Sequence, residues 1–264
     1  MTPHSDDPHA YKMGIMEHLK ELRKRIFVSL VAILLGAVAS YYYSGEVFQI
    51  LCAPYTDGFS GAPLIGTSPA EAWLLKVKVA LFCGCLVTSP FLFYQVWAFI
   101  APGLYANEKR WVVPFVIASS ALFVGGAAFC YTTVLPITLA FFRDEFSSIN
   151  VTPTIRIGDH VSMTLMMLLG FGAVFELPLI TLVLARFGVI DHHFLIRWYR
   201  QAILIIFIIS AIITPPDVLS QMLMAVPLLC LYAISILIAK ISFKLKTSPT
   251  APKLKHANYP VNSP

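Results

Sequence analysis

Charge is what this chain has least of. Asp, Glu, Lys and Arg together make up 12% of its 264 residues against 58% hydrophobic, where a soluble domain carries about 25% charge. That excludes a water-soluble globular fold and marks an integral membrane protein. The short motifs of common enzyme chemistry are also missing: there is no Gly-x-x-x-x-Gly-Lys-Ser/Thr loop, no Gly-x-Gly-x-x-Gly and no His-Glu-x-x-His. Nucleotide hydrolysis and zinc proteolysis therefore have no home. An intramembrane enzyme would need a nucleophile and a base that do not pair, so no enzyme, cofactor or metal is expected, and any driving energy comes from outside the chain. The five cysteines, Cys52, Cys83, Cys85, Cys130 and Cys230, have no zinc-like spacing; most lie in apolar runs, where a thiol packs as a small hydrophobe.

What is present is a series of uncharged runs at 26–45, 79–100, 111–142, 161–185 with only Glu176 inside, 201–214 and 218–239. Crossing about 30 Å of hydrocarbon takes roughly 20 helical residues. The sequence thus predicts an all-α polytopic fold of six transmembrane helices at about 26–45, 76–100, 111–136, 161–186, 199–214 and 217–240. They form one domain over 1–243, followed by a disordered cytoplasmic tail at 244–264. Residues 201–214 reach only about 21 Å as a helix, and Pro227 interrupts the sixth run. Short fifth and sixth helices are expected, joined by a Thr214-Pro215-Pro216 turn and thinning the bilayer beside them. The longest connections are 46–74 and 143–160, and the glycines and prolines of the first, Pro54 among them, favour turns.

Positive charge sets the orientation. Of the 19 lysines and arginines, 15 fall on the side of the two termini and only Lys76, Lys78, Arg143 and Arg156 on the other, which places both termini in the cytoplasm. The net charge of +5 is therefore topology; dispersed over separate loops, it forms no nucleic-acid patch. Basic residues at 23–25, an apolar core and Ala37-Val38-Ala39 also have the pattern of a cleavable secretory signal. The run continues, however, through Tyr41, Tyr42 and Tyr43, an interfacial aromatic belt. Lys76 and Lys78 suit contact with lipid headgroups by snorkelling.

Four acids stand out. Glu21 lies in a stretch with apolar residues at 16, 19, 22 and 26, the spacing of a helix with one side on lipid; it is either a surface residue paired to Arg25 or a carboxylate open to an arriving cation. Glu108 follows a Pro102-Gly103 break between two spans, where the dipole of the next helix also favours an acid. Glu176 sits in hydrocarbon, where a carboxylate is costly unless neutral or partnered. Asp217 fits a capping box at the start of the sixth span, and Gln221 shares its face.

In order along the chain come His18-Leu-x-Glu-Leu-Arg-x-Arg25, the block Tyr94-Gln-Val-Trp-Ala-Phe-Ile-Ala-Pro-Gly-Leu-Tyr105 with Glu108, Phe175-Glu-Leu-Pro178 and Thr214-Pro-Pro-Asp-Val-Leu-Ser-Gln221. Over residues 14–240 this chain resembles the TatC family, the core subunit of the twin-arginine (Sec-independent) protein translocase. The resemblance implies a signal-peptide receptor that exports folded proteins across the bacterial inner membrane, driven by the proton motive force. It implies as partners twin-arginine signal peptides, single-span TatA and TatB subunits, other TatC protomers and membrane lipid. It further implies a concave bundle, a signal-peptide site at Glu21, Arg23, Phe99 and Glu108, a polar patch at Glu176, Asp217 and Gln221 on the concave side that meets partner helices, and a loop-shaping role for Pro54. The chemistry is coherent, because arginine keeps its charge and offers a planar fork of donors that two carboxylates on separate segments can hold in register.

The rival reading is a proton-coupled secondary transporter of a small solute, since an intramembrane acid and short, proline-broken helices also mark midplane substrate sites. No second copy of the first three spans supports it.

Overall fold

The computed structural model describes residues 15–59, 63–100, 112–186, 190, 192–213 and 218–247. Helix α1 (Ile15–Ser40) passes through a 3-10 turn (Tyr41–Tyr43) into α2 (Ser44–Gly58), and α3 (Glu71–Ile100) returns beside it. Helix α4 (Val112–Phe129) runs through a π-turn (Cys130–Val134) into α5 (Leu135–Ser148). Then follow α6 (Ile157–Phe175), α7 (Leu177–Arg186), α8 (His192–Arg197), α9 (Tyr199–Ile213) and α10 (Val218–Thr247). Among the described residues five stretches are long and apolar enough to cross a membrane: Met16–Gly58, Glu71–Ile100, Val112–Ser148, Ile157–Ala185 and Gln221–Ile241. Between the last two lies the apolar but shorter α9, of 15 residues. The protein is a multi-pass, all-α membrane protein with a short fifth apolar helix.

Two features depart from the sequence expectation. Helix α10 runs for 30 residues straight through Pro227, so the sixth span is not short; proline removes one backbone hydrogen bond, and a long apolar helix tolerates that loss. Residues 44–58 form helix α2 rather than turns, with Pro54 inside it. Pro54 has no N–H to give the carbonyl of Ile50, and the hydroxyl of Tyr131 donates to that carbonyl instead, at 2.7 Å. The proline is thereby accommodated and its free carbonyl fastened to the third span. Residues 244–247 of the expected disordered tail continue α10 as helix; the rest of that tail, from 248, and the expected turn at 214–216 lie outside the described residues.

The spans pack through glycines. A Cβ on Gly84 of α3 would stand 2.5 Å from the amide nitrogen of Ala37 and 2.8 Å from the carbonyl oxygen of Ile33 in α1, both backbone atoms that cannot swing away. Gly126 of α4 would meet the Phe171 carbonyl at 2.8 Å, and Gly172 of α6 the Phe123 carbonyl at 3.0 Å. Close backbone approach of this kind is how helices associate where lipid is as apolar as leucine. Gly84→Val is expected to destabilise the protein by about 1–3 kcal/mol or more through overpacking. A lowered thermal midpoint in detergent would show it, and an unchanged midpoint would mean that α1 and α3 separate without cost.

The main core joins α2, α3, α5, α6, α9 and α10 around fully buried Tyr55, Phe171, Leu135, Met167, Met224 and Leu228. A smaller cluster of Trp97, Phe115, Leu179 and Val183 lies where α3, α4 and α7 meet. The connections on the Lys76 side are ordered by backbone bonds. Ile65 and Arg156 form a parallel bridge, with Ile65 N–H donating to the Ile155 carbonyl at 3.1 Å and Ile157 N–H to the Ile65 carbonyl at 2.9 Å. Glu71 caps its own helix by accepting from the Thr67 and Ser68 amides at 2.6 and 3.3 Å, and reaches α6 by accepting from the Gly158 amide at 3.0 Å. At the end of α5, Asn150 takes φ 55° and Val151 N–H donates back to the Phe146 carbonyl, which stops the helix in a Schellman turn.

Candidate functional site

Helical spacing puts Glu21 and Arg25 on one face of α1, and the structure joins them. Arg25 Nε and Nη2 both donate to Glu21 Oε1, at 3.0 and 2.6 Å. The remaining arm, Nη1, donates to Gln95 Oε1 on α3 at 3.0 Å, so the pair is tethered across two spans. Glu21 Oε2 is shielded from solvent and has no hydrogen-bond partner among the described residues. One oxygen is thus fixed by an internal guanidinium, and the other keeps its acceptor capacity.

One turn before Glu21, the ring of His18 stacks on Phe99 with centroids 4.2 Å apart and planes inclined by 16°. Phe99 is half-buried and stands one turn beyond Gln95 on α3. Beside this end opens a groove of about 490 Å³, walled by Leu22, Ile26, Leu30 and Ile33 of α1 and by Leu92 and Val96 of α3, with Arg25 and Gln95 also on its lining. An apolar trough with a carboxylate beside it fits a chain segment that carries cations next to an apolar stretch.

Arg23 is exposed and lies about 200° around α1 from Glu21, so the structure does not gather it with the other two. Glu108 and Asp217 lie outside the described residues.

Glu176 occupies a second, separate position at the break between α6 and α7. Pro178 lacks the N–H that would continue the ladder, and Glu176 N–H bonds three residues back, to the Ala173 carbonyl, at 3.2 Å. The residue is 7% exposed. The Ser119 hydroxyl donates to the carboxylate, and Ser119 Oγ in turn accepts from Trp97 Nε1 at 3.2 Å. The chain Trp97–Ser119–Glu176 links α3, α4 and the α6–α7 joint, leaving Glu176 Oε1 buried with no partner among the described residues. Gln221 does not join it: its Nε2 donates to the Phe207 carbonyl at 2.9 Å, tying α10 to α9.

Gln95, His18 and the Trp97–Ser119 pair escaped the sequence reading as site residues. Gln95, His18 and Trp97 all stand inside the quoted motifs, so the signal was present, but which faces meet is a tertiary fact.

Residues 17–227 match the family model described as Sec-independent protein translocase protein (TatC). The chain belongs to the TatC family. It is 39% identical over 235 residues to the Sec-independent protein translocase protein TatC of Aquifex aeolicus, covering 89% of this chain and 98% of that one. To the protein of the same name from Helicobacter pylori strain J99 it is 41% identical over 223 residues, covering 84% and 87%. A crystal structure described as the twin arginine translocase receptor TatC superimposes with a TM-score of 0.80 at 40% identity, covering 86% of this chain and all of the other.

Proposed function

We propose that this protein is the signal-peptide receptor and core subunit of a twin-arginine translocase, exporting folded proteins across the bacterial inner membrane with both termini in the cytoplasm. The observation that carries the reading is the Glu21 carboxylate, one oxygen bonded by Arg25 and the other shielded and without a hydrogen-bond partner among the described residues, beside the apolar groove of α1 and α3. A twin-arginine signal offers the matching chemistry: two guanidiniums for Glu21 and Glu108, followed by an apolar stretch for the groove. Phe99 borders the same site through its stack on His18, while Arg23, on another face of α1, is assigned a part in it only by the family resemblance. The sequence carries no nucleotide-hydrolysis motif, so the energy for export comes from outside the chain, as the proton motive force that the family resemblance implies.

Single-span TatA and TatB subunits gather along α9 and α10, near Asp217 and Gln221, with Glu176 as the acid they approach. Helix α9 spans only about 22 Å, and a bilayer thinned beside it yields more readily.

A labelled signal peptide with Arg-Arg is expected to bind at least about tenfold more tightly than an otherwise identical Lys-Lys peptide, because the ammonium cannot make the forked contact. Equal binding of the two, or none, turns the assignment toward the proton-coupled transporter.

A further inference from the structure

The end of the bundle that carries Pro54 holds a second built feature, remote from the Glu21 site and independent of the function proposed above. One residue beyond the carbonyl that Pro54 frees, the Leu51 carbonyl accepts a hydrogen bond from the ring of His160 on α6. Nε2 of that ring is buried with no partner among the described residues, so the donor is Nδ1–H. The tautomer is thereby fixed, and Nε2 faces inward as a bare lone pair.

Two hydroxyls share its surroundings. The Tyr55 ring lies 5.1 Å from the His160 ring between centroids. Thr164 stands one turn further along α6, on the same face, where a helical side chain leans back over the preceding turn. Tyr55 and Thr164 are 0% exposed and His160 is 3% exposed. Neither the Tyr55 hydroxyl nor the Thr164 hydroxyl has a partner among the described residues. Tyr55 itself belongs to the main apolar core, together with Leu51 of its own helix and Val161 and Leu165 of α6.

Three polar atoms from two helices, all withdrawn from bulk solvent and left without partners, are what native interiors avoid unless something joins them. Their chemistry says what that is. A metal ion is disfavoured because no group of three His, Cys, Asp or Glu side chains occurs among the described residues. Of the acids at this end of α6, Asp159 is exposed and pairs with Arg156 at 4.0 Å, and Glu71 already accepts from Thr67, Ser68 and Gly158. An anion finds only hydroxyls and an unprotonated nitrogen. A small neutral molecule that donates to an imidazole and accepts from a hydroxyl satisfies all three atoms, and two to four polar partners are what an internal water requires.

We propose that Tyr55 Oη, His160 Nε2 and Thr164 Oγ1 form a binding site for one ordered water, which donates to His160 and joins α2 to α6. With the Leu51–His160 bond, the Tyr131–Ile50 bond and this water, the seam between α2 and the third and fourth spans is closed by polar contacts at three points inside an apolar core. The site is about 24 Å along α6 from Glu176, sixteen residues away, with fully buried Met167 and Phe171 between them, so the two polar sites are separate.

The test is a structure of the full protein in lipid or detergent at a resolution that shows waters, paired with a double-mutant cycle. Expected is a single density peak within hydrogen-bond distance of all three atoms. In the cycle, Tyr55→Phe and Thr164→Val each lower the thermal midpoint, and together they lower it by clearly less than the sum, because the first already releases the shared water. Absence of density with the side chains unmoved overturns the site, as does a direct Tyr55–His160 hydrogen bond that leaves no room for water. Strictly additive losses overturn it too. If a variant does not fold, solid-state NMR of the unaltered protein decides: magnetisation transfer from water to the His160 Nε2 nitrogen supports the site, and its absence removes it.

Discussion

Glu21→Gln is expected to weaken binding of an Arg-Arg signal peptide by about 30-fold or more, while moving the thermal midpoint by no more than about 2 °C. Removing one partner of a desolvated charge pair costs on the order of 2–5 kcal/mol of binding. Folding loses little in this variant, because a glutamine side-chain carbonyl still accepts from the Arg25 guanidinium where Glu21 Oε1 does, and Arg25 keeps its bond to Gln95. Binding and stability therefore separate at this residue, which distinguishes a recognition group from a structural one. Glu108→Gln should weaken binding in the same direction. In the Glu21→Gln background its further effect should be smaller than alone, since a dipeptide held by one carboxylate has already lost its register. A stable Glu21→Gln protein with unchanged peptide affinity would remove Glu21 from the site.

Much of this molecule was legible in the sequence because the membrane simplifies its grammar. Hydrocarbon demands that backbone bonds close within each span, so uncharged runs translate into helices, and the short α9 could be measured from 201–214 directly. The failures have physical causes. Pro54 and Pro227 read as interruptions, yet both lie inside helices; a proline removes one hydrogen bond, and whether the helix survives depends on what receives the freed carbonyl. For Pro54 the receiver is Tyr131, 77 positions away, which no local window contains. Glu21 was legible as a candidate, but its two oxygens became inequivalent only when Gln95 came alongside to hold Arg25. Arg23, two residues from Glu21, shared its motif but faces another way, as 100° per residue dictates.

Glu176 carries the other large expected effect. Glu176→Ala should destabilise the protein by about 2 kcal/mol or more, because the buried Ser119 hydroxyl loses its acceptor and the α6–α7 joint gains a void. Glu176→Gln should restore most of that stability, since an amide carbonyl accepts from Ser119 as a carboxylate oxygen does. It should not restore export. The other oxygen, Oε1, is buried with no partner among the described residues, and in glutamine that position becomes an NH₂ that donates where the acid accepted. A group arriving from a partner helix to donate there would meet another donor, and a buried like-with-like contact is as unfavourable as the matched one is favourable. Thermal midpoints of the Ala and Gln variants, set beside their export rates, read the two oxygens separately. Gln variants that regain stability without export place Oε1 at the partner contact. Gln variants that regain both confine Glu176 to holding Ser119 and Trp97 across the α6–α7 break.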